Sequence, residues 1–208
     1  VIYALSETFD ALCGFRAVSE LVRVVDELRA LDTADTAPLD DLARRASKPE
    51  PIRSLVGWLL DGGADVEQLV ASVSALAEHP SAAAIPGMAV VATLTEEYPG
   101  DAGIVVSLML NHVTLRRGEA LYLPAGNIHA YVRGLGVEVM ASSDNVLRGG
   151  LTPKHIDVPE LMSVLDFREL PVPYLRPTRP MPKRPAFPTG ISISLPATSS
   201  CTRRVRVR

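Results

Sequence analysis

Between residues 17 and 97 the apolar residues recur at threes and fours, and after Gly103 that period disappears. Two kinds of structure therefore share this chain. Val18, Leu21, Val22, Val25 and Leu28 form one helical stripe, and Val66, Leu69, Val70, Val73 and Leu76 form another. Pro38 before LDDLARRA and Pro51 before IRSLVGWLL suit first-turn positions, where a missing N–H costs nothing, while Gly62 and Gly63 stop the latter segment. MAVVATLTEE continues to Glu97 as a last helix from Pro86, and Tyr98-Pro99-Gly100-Asp101 ends it. The spacing predicts a block of about five short helices.

The flanks read differently. VIYAL is a β-compatible run, and SETFDALCGFR reads as a connector broken at Gly14. After Gly103, IVVSLML, HVTL, ALYLP and VEVMASS read as short strands, separated by turn signals at Arg117-Gly118 and Pro124 to Asn127. Strands at this spacing indicate a β-sandwich or small barrel. DNVLRGGLTPKHID is a long polar loop with adjacent glycines, a kind of segment that often carries function, and Asp157 caps a short helix over VPELMSVLDF.

A chain of 208 residues with 47% hydrophobic and 22% charged residues can bury a core of one or two domains. Its longest apolar runs, such as IVVSLMLN at 104 to 111, fall well short of the roughly 20 residues that cross a bilayer. No basic-to-apolar leader opens the chain and no Met begins it, which suggests a start inside a longer protein. Cys13 and Cys201 stand far apart, without disulfide or metal-ligand spacing, as expected in a reducing cytoplasm.

The net charge of −3 hides an asymmetry. Residues 168–208 hold nine Lys or Arg against one acid, Glu169, and so carry +8, which leaves −11 on the preceding 167 residues. An acidic body argues against nucleic-acid binding, and the tail lacks the interleaved aromatics of a single-strand arm. With eight of the seventeen prolines, the tail suits a disordered or extended segment, or one translated out of its natural frame.

Of the four histidines, His79, His112 and His155 sit where packing or surface roles are the ordinary expectation. His129 follows the Pro124–Asn127 turn into a strand. There it is either an inward metal ligand at the mouth of a barrel or a histidine bonded to backbone. Around it lie Tyr131, Glu138, Asp144, Asn145, Arg148 and Lys154. Alternation puts Glu138 on the face of Gly136 and Met140, opposite Val137 and Val139. If that face is interior, Glu138 needs a cation or hydrogen-bond donors; if not, it is solvated. Arg148 and Lys154 flank glycines and suit a phosphate or a developing oxyanion, or else they pair with Asp144 and Asp157 on a surface loop.

Taken together, H-A-Y-x-x-G-x-x-V-E-x-M-A-x-S-D-N-V-L-R-x-G-L-T-P-K from His129 to Lys154 resembles the signature of the type I mannose-6-phosphate isomerases. The resemblance extends to FDALCGFR at 9–16, YPGDAG at 98–103 and HIDVPEL at 155–161. It implies a mixed α and β fold, a cupin-type β-sandwich or jelly-roll portion interrupted by an all-helical insertion. The corresponding parts are residues 1–16, the insertion 17–97, the β-domain 98–167 with its active-site loop, and the tail. It also implies a zinc-dependent aldose–ketose isomerase of carbohydrate metabolism and GDP-mannose biosynthesis, interconverting mannose 6-phosphate and fructose 6-phosphate through an enediol. His129 matches the family's zinc-ligating histidine, Arg148 its active-site arginine, and Tyr131, Glu138 and Lys154 positions lining the substrate cavity. The implied partner is a small phosphosugar. Two departures stand out. The family's Q-x-H and H-K-P-E zinc motifs are absent, which predicts that the chain alone is inactive, a fragment or a sugar-phosphate-binding remnant. Gly149 replaces the alanine usual after the arginine.

Overall fold

A computed structural model describes residues 1–31, 35–141 and 147–175. The expected tail from residue 176 onward, together with Asp144 and Asn145, lies outside them. In chain order the elements are β1 (Ile2–Ala4), β2 (Thr8–Phe15), α1 (Val18–Arg29), α2 (Ala37–Ala46), α3 (Pro51–Asp61) and α4 (Ala64–Ala77). A 3₁₀ turn at Ala82–Ala84 follows, then α5 (Met88–Glu97), α6 (Gly103–Leu108), β3 (Leu110–Arg116), β4 (Ala120–Leu121), β5 (His129–Arg133), β6 (Gly136–Glu138) and α7 (Val158–Val164).

The helices before Tyr98 form where the period places them. Leu21, Val24, Val25 and Leu28 of α1 and Val66, Leu69, Val70, Val73 and Leu76 of α4 are buried. Proline occupies the first turn of α2 and of α3, and Gly62, at φ 76°, follows the end of α3 in a backbone region that favours glycine.

Three strand expectations need correction. IVVSLML is not a strand: its first part is α6, and β3 begins only at Leu110. Every residue of α6 is buried, Ser107 included, and a run buried on all sides carries no period to tell helix from strand. SETFDALCGFR is not a connector. It contains β2, which pairs antiparallel with both β3 and β5. Gly14 marks a bulge rather than a break. ALYLP and VEVMASS shrink to the short β4 and β6, with one further exchange of hydrogen bonds between Val139 and Val1.

The strands make two three-stranded antiparallel sheets, β4-β1-β6 and β3-β2-β5. Phe9, Ala11 and Cys13 of β2 join Ile2, Ala4, Val113, Leu115 and Leu121 in a small core between the sheets. Leu12 and Phe15 join the larger core of the helices. Strict alternation would put Cys13 and Phe15 on one face; the bulge at Gly14, φ 56°, turns Phe15 to the other. One strand thereby serves both cores.

Residues 168–175 belong to the folded part, which corrects the expected tail boundary. Leu170 N donates to Phe15 O (3.0 Å), Tyr122 N to Pro173 O (3.0 Å) and Leu175 N to Ala120 O (2.8 Å), so this segment straps both sheets. Among the described residues no helix is long and apolar enough to cross a membrane.

Candidate active site

Strand register decides which side chains meet. Residues opposite one another in paired strands share a face, and in β5 His129 stands opposite Cys13 and Tyr131 opposite Ala11. In β6 Glu138 stands opposite Ile2. Ile2, Ala11 and Cys13 line the space between the sheets, so His129, Tyr131 and Glu138 all turn into it. Glu138 is therefore interior, its side chain only 11% exposed; His129, at 33%, sits at the mouth.

The buried carboxylate has a donor. Tyr131 Oη donates to Glu138 Oε1 at 2.7 Å, and the Tyr131 ring packs at a tilt against Phe9 (5.5 Å between centroids) and His129 (5.6 Å). His129 Nδ1 lies 2.8 Å from the carbonyl oxygen of Asn127. A carbonyl can only accept, so Nδ1 carries a proton, and in the neutral ring Nε2 presents its lone pair, the arrangement that orients metal-binding histidines. Nε2 lies 4.0 Å from Glu138 Oε1, too far for a direct hydrogen bond.

The turn before His129 is fixed by backbone contacts on both sides. Gly14 N donates to Ile128 O (2.8 Å), Asn127 N to Pro124 O (3.2 Å), and Asp166 N to Gly126 O (3.0 Å). Asn127 itself is 8% exposed. Sequence reasoning saw it only as a turn residue. Its position two residues before the histidine, where a carbonyl can reach Nδ1, was the available signal.

Arg148 and Lys154 lie on the loop that follows β6. Gly149, next to Arg148, approaches the wall of the site: a methyl group there would lie 3.3 Å from Ile128 Cδ1, one residue from His129. Among the described residues the side chains of Arg148 and Lys154 have no ion-pair partner, and Lys154 N donates to Thr152 Oγ1 at 3.2 Å. The structure thus brings His129, Tyr131 and Glu138 into direct association, and hangs Arg148 and Lys154 on the adjoining loop. His112 and His79 point elsewhere. His112 Nε2 meets Ser107 O at 2.9 Å on the helical side, and His79 Nδ1 accepts from Ser81 N at 3.2 Å. An open depression of about 520 Å³ between α3 and α7, lined by Glu50, Arg53, Trp58, Asp61 and Met162, contains none of the five candidates.

A structural zinc site needs four ligands, at about 2.0–2.2 Å for nitrogen and oxygen. His129 Nε2 fits one such position. Two donors on one tetrahedral ion lie roughly 3.3–3.6 Å apart at those bond lengths. The 4.0 Å gap to Glu138 is wider. No group of three or more His, Cys, Asp or Glu able to hold a metal occurs among the described residues.

No family model matches the chain. It is 38% identical over 175 residues to a probable mannose-6-phosphate isomerase of Dictyostelium discoideum, covering 81% of this chain and 38% of that one. To mannose-6-phosphate isomerase of Rattus norvegicus it is 37% identical over 175 residues, covering 78% and 41%. A crystal structure of the Salmonella typhimurium mannose 6-phosphate isomerase, bound to its substrate fructose 6-phosphate and zinc, superimposes with a TM-score of 0.70 at 31% identity, covering 86% and 44%. A zinc-bound mannose 6-phosphate isomerase structure gives 0.68 at 33% identity. The chain spans about two fifths of the length of these relatives.

Proposed function

Because the chain belongs to the mannose-6-phosphate isomerase family, we propose that it forms the phosphosugar side of an aldose–ketose isomerase acting on mannose 6-phosphate and fructose 6-phosphate. The observation that carries this reading is the convergence of His129, Tyr131 and Glu138 on one interior face, beside a loop bearing two cations. Isomerisation moves a proton between C1 and C2 and passes through an anionic enediolate. Arg148 and Lys154 supply the positive charge that a phosphate and that anion require. Glu138, held by the Tyr131 hydroxyl, is a carboxylate placed to take part in proton movement or to bind sugar hydroxyls.

Zinc, when bound, would polarise or orient sugar oxygens. His129 is the residue of this chain suited to hold it, but the described residues do not make a complete site, so no step is routed through the metal. The reading is that the remaining ligands come from sequence outside these 208 residues. The donor count favours a second reading for the isolated chain, a phosphosugar-binding module without turnover. We propose the two sheets as the corresponding portion of a cupin-type sandwich, with residues 17–97 as its helical insertion. The pairing of β2 with β3 and β5 supports joining residues 1–16 to 98–167 in one unit. A buried, unpaired Cys13 is consistent with the reducing cytoplasm as its location.

A coupled assay for fructose 6-phosphate formation from mannose 6-phosphate, run with added zinc and with chelator, tests turnover. The expected result is no activity above blank in either condition. Chelator-sensitive activity of the purified chain would overturn the incomplete-site reading.

A further inference from the structure

Asp101 sits in the segment between α5 and α6, away from every candidate residue in sequence. Its two carboxylate oxygens do different things. Oδ1 accepts from Gly103 N at 2.7 Å, at the start of α6, and Oδ2 faces Thr152 N at 3.4 Å, in the loop after β6. The first bond closes a local turn two residues on; the second reaches across to the loop.

The junction is close as well as polar. A methyl group on Gly150, at φ 108°, would lie 2.8 Å from Gly103 Cα and 3.0 Å from Asp101 Oδ1. One on Gly103 would lie 2.9 Å from Leu151 N. Backbone meets backbone here, and neither glycine has room for a side chain. Between them Leu151 takes φ 54°, a left-handed conformation that a leucine keeps only where its surroundings enforce it.

We propose that Asp101 is a positioning residue for the anion-binding loop, fixing Gly150–Thr152 so that Arg148 and Lys154, each two residues outside the clamped segment, are held at a set distance from His129. The connection is continuous: α6 leads within two residues into β3, β3 pairs with β2, and β2 pairs with the strand carrying His129. What the loop binds rests on the function proposed above. That Asp101 fixes it does not.

Amide hydrogen exchange on the full chain tests the clamp, with Asp101→Ala and Asp101→Asn compared with wild type. Losing an acceptor shared by two amides predicts exchange at Gly150–Lys154 faster by about tenfold in Asp101→Ala, with α4 and β2 unchanged. Asp101→Asn keeps one carbonyl oxygen, for Gly103 N, but turns an NH2 donor toward Thr152 N, so Gly103 stays protected while the loop exchanges about as fast as in Asp101→Ala. Binding of fructose 6-phosphate weakens by a similar factor in both variants at a temperature where they are fully folded. Faster exchange spread evenly through the helices, or an unprotected loop in wild type, overturns the clamp. If Asp101→Ala fails to fold, Asp101→Asn decides: faster exchange in the loop with Gly103 still protected supports the clamp, and wild-type loop protection overturns it. Should wild type bind no fructose 6-phosphate, the phosphosugar reading falls, and the clamp is judged on exchange alone.

Discussion

Gly149 and Gly150 are neighbours with opposite requirements. Gly150 is locked by its positive φ and by the Gly103 backbone. Gly149 is not: a methyl group there meets only Ile128 Cδ1 at 3.3 Å and Leu161 Cδ2 at 3.5 Å, both ends of flexible side chains. Gly149→Ala should therefore stabilise the chain by about 0.4–1 kcal/mol through the unfolded state. Gly150→Ala should cost more than that gain. Thermal melts of the two variants check the signs; a loss of stability in Gly149→Ala would contradict the packing described. His112 offers a second test. Burial among apolar neighbours lowers its pKa to about 4, Ser107 O opposes that shift, and the Arg16 charge adds to it. Nδ1 is buried without a partner, so protonation there finds no acceptor. The unfolded chain binds the proton near pH 6.5 and the folded chain only near 4, so stability is full above about 6.5 and is lost as pH falls through 4. The loss is on the order of 3 kcal/mol. Urea titrations between pH 4 and 7 should show that slope, and His112→Gln should flatten it. An unchanged slope in the variant would assign the acid sensitivity to other groups.

The strands and helices were unequally legible, for a reason visible in α6 and β2. Surface helices such as α1 and α2 advertise one buried stripe. The GIVVSL of α6 is buried all round, and β2 is buried on both faces by two different cores, so neither shows a period. The bulge at Gly14 could not be foreseen, because it answers to where Phe15 must go. Helix α7 was readable from its cap: Asp157 Oδ1 accepts from Glu160 N at 3.0 Å. Asp157→Ala should weaken that helix by about 1 kcal/mol. Amide exchange should quicken at Glu160 and Leu161 and leave β3 untouched; equal change in both would point to a global role instead.

At the scale of the molecule, the site was legible in part. Alternation put Glu138 on the face of Gly136, and the structure makes that face interior, but only β2, unrecognised in the sequence, shows why: it supplies the floor opposite His129 and Tyr131. The bond from Gly14 N to Ile128 O beneath His129, and the reach of Asp101 to Thr152, join segments far apart in the chain and leave no local pattern. The central claim is that a phosphosugar binds between the His129–Tyr131–Glu138 wall and the Arg148–Lys154 loop, even where the zinc site is incomplete. Titration of the ¹⁵N-labelled chain with fructose 6-phosphate in chelator, followed residue by residue, tests it most directly. Saturable shifts centred on Tyr131, Glu138 and Gly149–Lys154, lost in Arg148→Ala, are the predicted result. No saturable response, or one centred on the depression between α3 and α7, would contradict it.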